Sequence, residues 1–170
     1  VVTGVGAVVN TGQIEPGSSV AIVGLGGVGL SGLMGAVLAG AGRIVAIDLS
    51  DEKLGLARQL GATDTVNAKD ADHVTQVRDL TNGGVDYAFD LAGTIKAMET
   101  AYLVTRWGGT TVTAGLSPIS ADFSFKQSGL VSEEKTIKGS YMGSCVPVRD
   151  IPRFIALYQQ GKLPVDRMVS

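Results

Sequence analysis

The chain has 170 residues, of which 24 are glycine, one is cysteine and one is histidine. This length fits one domain, and a single cysteine excludes an internal disulfide, which favours an intracellular, cytoplasmic setting. Fourteen basic residues against 16 acidic ones provide no basic footprint for nucleic acid or an anionic membrane. One cysteine and one histidine are also too few for a four-ligand zinc site.

The stretch from Pro16 to Gly42 carries no charge over 27 positions, which is long enough for a membrane-spanning helix. Four glycines fall within residues 24–29, and each interior glycine costs a helix about 1 kcal/mol relative to alanine. Lipid tolerates glycine better than water does, so a membrane span stays a minor alternative. The chain begins at Val1 without an initiator methionine, and we expect it to be a piece of a longer protein.

Strand-like and helix-like segments alternate along the chain. Residues 3–10 are predicted to end a helix, with Gly12 as its left-handed cap, and residues 117–130 to be irregular. The predicted strands are residues 19–23, 43–48, 65–67, 85–91, 109–114 and 136–140, and the predicted helices are residues 30–39, 51–60 after an N-cap at Ser50, 71–80, 95–104 and 150–160. This alternation predicts an α/β Rossmann fold: a doubly wound, six-stranded parallel sheet with helices on both faces.

Residues 24–29 (Gly-Leu-Gly-Gly-Val-Gly) match the pattern G-x-G-x-x-G between a predicted strand and a predicted helix. Gly24 permits the tight turn out of the strand, and Gly26 lets a pyrophosphate approach the backbone. Gly29 lets the helix lie close to the sheet, and the helix N-terminus offers free N–H groups to phosphates. In this context the segment predicts a dinucleotide-binding turn rather than a glycine turn without a ligand.

Asp48 ends the second predicted strand, 19 residues after Gly29. Its carboxylate can accept hydrogen bonds from both ribose hydroxyls of an adenosine. The same negative charge repels a 2′-phosphate, so Asp48 favours NAD over NADP. No arginine follows it in residues 49–52 to hold a phosphate. Lys53 is within reach of the same ribose, although an ordinary solvated lysine is the simpler interpretation.

Eight short segments match the sequence motifs of one protein family and occur in the same order as in that family. They extend along nearly the whole chain, at residues 3–7, 23–30, 47–48, 53–54, 60–63, 89–90, 108–109 and 138–140. With these strings the chain resembles the cofactor domain of zinc-dependent medium-chain alcohol dehydrogenases, especially the liver-type and glutathione-dependent formaldehyde dehydrogenase branch. The resemblance implies an oxidoreductase that transfers a hydride between an alcohol and NAD.

The resemblance implies a role for each matching residue. Thr3, Val28 and the backbone of residues 114–116 would lie at the nicotinamide, and the backbone of Ser140 and Met142 would clamp its carboxamide. Asp48 and Lys53 would hold the adenosine ribose. Leu91 and Ala92 would line the adenine side. The implied cofactor-binding residues are Thr3, Gly24, Gly26, Gly27, Val28, Gly29, Asp48, Leu49, Lys53, Leu91, Ala92, Ala114, Gly115, Leu116, Ser140 and Met142. Thr94 replaces an arginine usual in the liver-type branch, which leaves one phosphate or ribose contact in doubt.

The family's zinc ligands would lie upstream of the stretch that matches Thr3. We therefore expect residues 1–170 to form the dinucleotide-binding domain alone, without zinc and without catalytic residues, and the isolated chain to be inactive. The family resemblance further implies a homodimer formed by the strand at residues 136–140. This edge strand is short and has only one charged residue, so it is poorly protected against pairing with a second copy. Substrate contacts would come from the missing domain.

Two other functions fit parts of the pattern. A stand-alone NAD-binding regulatory module would bind the cofactor without catalysis, and its native chain would begin near Val1. An S-adenosylmethionine methyltransferase also uses a glycine loop and an acidic strand end, but not this wide glycine spacing. His73 and Cys145 are interpreted as ordinary solvated or structural residues, and Trp107 as packing at a strand entrance. Tyr141 faces either the cofactor or a partner.

Overall fold

The computed structural model describes residues 1–168 as a six-stranded sheet flanked by helices. The strands are β1 (Ser19–Val23), β2 (Arg43–Asp48), β3 (Asp64–Asn67), β4 (Val85–Asp90), β5 (Thr105–Thr113) and β6 (Thr136–Gly139). The helices are α1 (Val2–Gly6), α2 (Gly27–Leu38), α3 (Asp51–Gln59), α4 (His73–Leu80), α5 (Ile95–Val104), α6 (Gln127–Ser132) and α7 (Pro147–Gln159). A π-helical turn, Ala7–Gly12, continues α1, and short 3-10 turns span Met142–Ser144 and Val165–Met168.

All neighbouring strands run parallel, in the order β3-β2-β1-β4-β5-β6. The chain therefore winds outward from β1 to one edge of the sheet and then returns to build the other half from β4. This order has its topological switch between β1 and β4, where open α/β sheets bind ligands. The predicted doubly wound Rossmann fold is confirmed.

Strands β1 and β2 are buried on both sides, because helices pack on both faces of the sheet. Apolar residues therefore cover both faces. On one face Val20 and Ile22 of β1 pack with α1, α2 and α3. On the opposite face Ala21 and Val23 pack with α4 and α5. Alternate residues of one strand thus serve two hydrophobic layers, which is why β1 reads as a continuous apolar run rather than an alternating one.

In the described part of the chain, two helices begin with a side-chain cap, of which the sequence predicted the one at Ser50. Ser50 precedes α3, and its Oγ accepts the backbone N–H of Lys53. Thr94 does the same for α5, where its Oγ1 accepts the N–H of Ala97 at 3.2 Å. Helix α2 starts at Gly27, three residues earlier than predicted, and has no side-chain cap. Its first turn is built from the glycines that the sequence assigned to the preceding turn.

Three local predictions were wrong. Gln13, not Gly12, takes the left-handed conformation after the π-helical turn, with φ of 53°. A Cβ on Gly12 would lie 2.7 Å from the ring of Phe89, so packing explains that glycine. Trp107 does not pack at a strand entrance, because 67% of its side chain is exposed. Residues 127–132 of the segment predicted as irregular form α6.

Asp150 anchors the beginning of α7. Its side chain is fully buried and accepts hydrogen bonds from the Val146 amide at 2.9 Å and from Nε of Arg149 at 2.7 Å. These bonds, led by those from Arg149, hold the pKa of the Asp150 carboxyl well below its usual range, although burial opposes them. Burial and the same carboxylate raise the pKa of the neighbouring Cys145 thiol. A raised pKa disfavours the thiolate, which is the nucleophilic form of a cysteine.

Within residues 1–168, no helix combines the length and the apolar character that crossing a bilayer requires.

Gly29→Ala is expected to destabilise the fold by at least about 2 kcal/mol. The new Cβ would lie 1.7 Å from the carbonyl oxygen of Gly24, so α2 and β1 must move apart. Gly27→Ala is the matched control, since no atom lies within 4 Å of a Cβ there. Urea denaturation measures both variants, and equal stability of the two would contradict the expectation.

Asp150→Asn is expected to remove a pH-dependent part of the stability. Because the folded-state pKa of Asp150 is lowered, its contribution is present above the unfolded pKa of about 4 and is lost as the pH falls through the folded value. The difference in unfolding free energy between the wild-type chain and Asp150→Asn should therefore be largest near pH 7 and shrink towards pH 3. A difference that is constant between these pH values in urea titrations would refute this assignment.

Candidate functional site

The register of the sheet places the predicted site residues side by side at one edge. Val23 pairs with Ile47 and with Asp90, Asp90 pairs with Thr113, and Thr113 pairs with Gly139. The residues that follow these positions are Gly24, Asp48, Leu91, Ala114 and Ser140. Backbone hydrogen bonds of 2.8–3.0 Å extend the pairing through the amides of Gly24, Leu91, Ala114 and Ser140. Five separate segments of the chain thus end in one row at the carboxyl edge of the sheet.

The glycine segment turns sharply between β1 and α2. Gly24 has φ of +89°, in the left-handed region that favours glycine, and a Cβ there would meet Ala92 at 2.6 Å. A Cβ on Gly29 would overlap the carbonyl oxygen of Gly24. Gly24 is therefore required by the tight turn and Gly29 by the close packing of α2, as the fingerprint predicts.

Gly26 and Gly27 differ from these two glycines. Both are exposed, and no atom lies within 4 Å of a Cβ built on either one. The fold itself does not need glycine here, because the space beside the start of α2 is open. Since α2 also lacks a side-chain cap, its N-terminus is accessible to an anion approaching the backbone.

Asp48 lies at the rim of this edge with its carboxylate held from two sides. One oxygen accepts the N–H of Leu25 at 2.7 Å, and the other accepts the N–H of Ser50 at 3.0 Å. Each carboxylate oxygen has a further lone pair, so both retain capacity for a hydroxyl donor. The two amides fix the orientation of the group before any ligand arrives.

A cleft of about 790 Å³ runs along the carboxyl ends of β1, β2 and β4. Gly24, Asp48, Leu49, Lys53 and Ala92 of the predicted set line it. The volume is within the range of small-molecule sites. The cleft is lined by three lysines and three acidic residues: Lys53, Lys69, Lys96, Asp48, Asp70 and Glu99. The formal charges of these side chains cancel, so no net positive charge offsets the carboxylate of Asp48.

Sequence reasoning missed the far wall of this cleft, which is formed by α4 and α5. His73 lines it, and its ring bonds to the carbonyl oxygen of Asp70 at 2.8 Å and to Oγ1 of Thr100 at 3.1 Å. The side chain is half-buried rather than fully solvated. Thr94 and Lys96, at the beginning of α5, line the same wall. The position of α5 directly after a strand end was the available signal.

The segments that follow β4 and β5, which contain predicted site residues, are in contact with each other. Buried Asp90 accepts Oγ1–H of Thr113 at 2.8 Å and the N–H of Ala92 at 3.1 Å, which ties the two strand ends together. A Cβ on Gly115 would lie 2.3 Å from the amide nitrogen of Gly93, so these backbones touch. Leu91 does not line the cleft with its side chain, which is buried against Gly32 of α2.

Thr3, Val28 and the segment after β6 form a second group of predicted residues. A Cβ on Gly4 would lie 2.0 Å from the carbonyl oxygen of Val28, and one on Gly143 would lie 2.8 Å from that of Thr3. Helices α1 and α2 and the turn Met142–Ser144 are therefore in direct contact. Met142 is half-exposed, while Ser140 is buried.

No cluster of three or more His, Cys, Asp or Glu side chains suited to a metal ion occurs in the part of the chain that the structure describes. The described residues thus combine an open backbone turn with a carboxylate of fixed orientation at one edge of the sheet.

Comparison with known proteins places this chain among dehydrogenases. The family described as zinc-binding dehydrogenase matches residues 27–160. S-(hydroxymethyl)glutathione dehydrogenase of Paracoccus denitrificans is 36% identical over the whole chain, and alcohol dehydrogenase 1 of Pisum sativum is 38% identical over 99% of it. The chain spans 47% and 45% of these two relatives, a little under half of each.

A solved structure shares the fold in detail. The crystal structure of benzyl alcohol dehydrogenase from Acinetobacter calcoaceticus superposes with a TM-score of 0.94 and 36% identity, over 98% of this chain and 46% of that one. The resemblance inferred from the glycine turn, Asp48 and the further strings is confirmed. This chain belongs to the zinc-binding dehydrogenase family, and its Rossmann fold corresponds to under half of each of these alcohol dehydrogenase relatives.

Proposed function

We propose that residues 1–170 form the NAD(H)-binding domain of a zinc-dependent alcohol dehydrogenase. The observation that carries this proposal is at the carboxyl edge of the sheet, where the open backbone of Gly26 and Gly27 directly follows Leu25, whose amide helps to fix the carboxylate of Asp48 in the cleft. The parent enzyme would transfer a hydride between an alcohol or aldehyde substrate and NAD. We place it in the cytoplasm, in line with the single cysteine.

The residues of this chain would bind and orient the cofactor. The N-terminus of α2 would hold the pyrophosphate through backbone N–H groups, with Gly26 and Gly27 leaving room for it. Asp48 would accept the two hydroxyls of the adenosine ribose, with Lys53 and Leu49 beside it in the cleft. Ala92 would border the adenine. Thr3, Val28, residues 114–116 and the backbone of Ser140 and Met142 would surround the nicotinamide.

NAD, when bound, supplies the hydride acceptor of the reaction. The described residues hold no ligand set for zinc, so the zinc that polarises the substrate oxygen would be bound by the other half of the parent enzyme. That half would also supply the catalytic residues and most substrate contacts. Residues 1–170 alone would then bind NADH and show no zinc-dependent alcohol oxidation.

Asp48 is expected to make the chain prefer NADH over NADPH by at least about tenfold. The 2′-phosphate of NADPH would face a carboxylate whose position is fixed by two backbone amides, and the two negative groups would repel each other. The phosphate also replaces the 2′-hydroxyl that would donate a hydrogen bond to Asp48. Calorimetric titration of the chain with each dinucleotide measures this ratio. Asp48→Ala should weaken NADH binding and reduce the ratio towards one.

Glu52→Gln is the matched control for that experiment. Glu52 is an exposed carboxylate in the first turn of α3, four residues from Asp48, and does not line the cleft. Its removal should leave the ratio of NADH to NADPH affinity within about twofold of wild type. Equal or tighter binding of NADPH by the wild-type chain would refute the role of Asp48.

We further propose a homodimer formed by pairing of β6 across a two-fold axis. Strand β6 is an edge of the sheet, and its one charged side chain, Lys138, reaches back to the carbonyl oxygen of Thr11 at 3.4 Å. That charge is therefore directed away from the open edge and protects it little against pairing. The Ser140 amide donates to Thr113 of β5, so by strand alternation the Gly139 amide points outward.

Light scattering at tens of micromolar is expected to give the mass of a dimer. Gly139→Pro removes an outward donor and should shift the chain towards monomer, whereas Gly139→Ala keeps the donor and should leave the dimer intact. No atom lies within 4 Å of a Cβ at this position, so the alanine control adds no clash. A monomeric mass for the wild-type chain would contradict the proposed pairing.

A further inference from the structure

The turn Met142–Ser144 has an unusual backbone. Three successive residues, Met142, Gly143 and Ser144, have positive φ values of 49°, 68° and 47°. Only one of them is glycine, and non-glycine residues adopt this conformation at a free-energy cost that persists only where the surroundings fix it. The turn's own backbone supplies one bond, from the Ser144 amide to the carbonyl oxygen of Tyr141 at 2.9 Å.

The fixing contacts come from the π-helical turn, more than 120 residues away in the chain. Oγ1 of Thr11 lies 2.7 Å from Oγ of Ser140 and 2.8 Å from Oγ of Ser144, so one hydroxyl bridges both ends of the segment. Nδ2 of Asn10 donates to the carbonyl oxygen of Gly143 at 3.1 Å and to buried Asp150 at 3.3 Å. The adjacent side chains of Asn10 and Thr11 thus form hydrogen bonds to both ends and to the middle of the segment Ser140–Ser144.

The widened helical turn is what presents both side chains. The Gln13 amide donates to the carbonyl oxygen of Val8, an i to i+5 bond that defines π-helical rather than α-helical geometry. Turns of this kind are rare and occur frequently at functional sites. A Cβ on Gly143 would lie 2.4 Å from the carbonyl oxygen of Val2, so α1 also packs directly against the segment.

From these contacts we infer that Thr11 and Asn10 are positioning residues, which hold the segment Ser140–Ser144 ready to bind the nicotinamide end of the cofactor. The inference rests on the proposed function, because it assigns the nicotinamide to this segment. A prearranged segment binds without a further ordering cost, whereas a relaxed one must be ordered by the ligand. The adenosine end is bound elsewhere, around Asp48, and does not use this segment.

The test compares NADH with ADP-ribose, which has the adenosine and both phosphates but no nicotinamide. Thr11→Val removes the bridging hydroxyl at nearly constant volume, and Thr11→Ser retains it. We expect Thr11→Val to weaken NADH binding about three- to tenfold, as the loss of one or two neutral hydrogen bonds implies. ADP-ribose affinity should stay within about twofold, and Thr11→Ser should match the wild-type chain for both ligands.

Asn10→Ala removes the bond to the Gly143 carbonyl and should shift the ratio of the two affinities in the same direction. Equal weakening of NADH and ADP-ribose by Thr11→Val would indicate a merely structural role and overturn the inference, as would unchanged binding of both. Binding of neither ligand by the wild-type chain would instead refute the proposed function, and the inference with it.

Hydrogen exchange tests the positioning role without any cofactor. The Ser144 amide, bonded within the turn, should exchange at least about threefold faster in Thr11→Val than in the wild-type chain or Thr11→Ser, as judged from a peptide covering residues 140–146. Unchanged exchange in Thr11→Val would overturn the inference even if NADH binding were confirmed.

Discussion

The contact between the first turn of α2 and the end of β1 is the constraint on which the site depends. Gly29 lies so close to the carbonyl oxygen of Gly24 that no side chain fits between them. This closeness brings the uncapped N-terminus of α2 to the carboxyl edge of the sheet, with its free N–H groups beside the strand ends. A dipole end and an open backbone turn therefore meet where a pyrophosphate would lie.

Parallel pairing then collects the other groups at the same edge. Because every strand runs in one direction, residues that follow the last paired positions become neighbours, although they are far apart in the chain. Gly24, Asp48, Ala114 and Ser140 meet in this way. Asp48 lines the cleft with a carboxylate that two amides already orient, so the ribose contact proposed for it would need no rearrangement of this group.

The two ends of the site are built by different means. The end proposed for the adenosine is a cleft between strand ends and helices α4 and α5, with balanced charge and several exposed side chains. The opposite end is backbone, held in a left-handed arrangement by hydrogen bonds from the π-helical turn. The binding proposed here would therefore depend on the fixed carboxylate of Asp48 at one end and on how firmly a segment is held at the other.

The amino-acid sequence alone determined the strands, the Rossmann fold, the glycine turn and the position of Asp48, because these follow from local signals: buried apolar runs, glycine spacing and capping residues such as Ser50. It also identified the family, since the matching motifs extend along nearly the whole chain. Only the tertiary structure decided why Gly12 is glycine, that Trp107 is exposed, and that Thr11 meets Ser140. These features arise between segments 70 to 130 residues apart or from the shape of the surface, and no local periodicity records contacts at such distances.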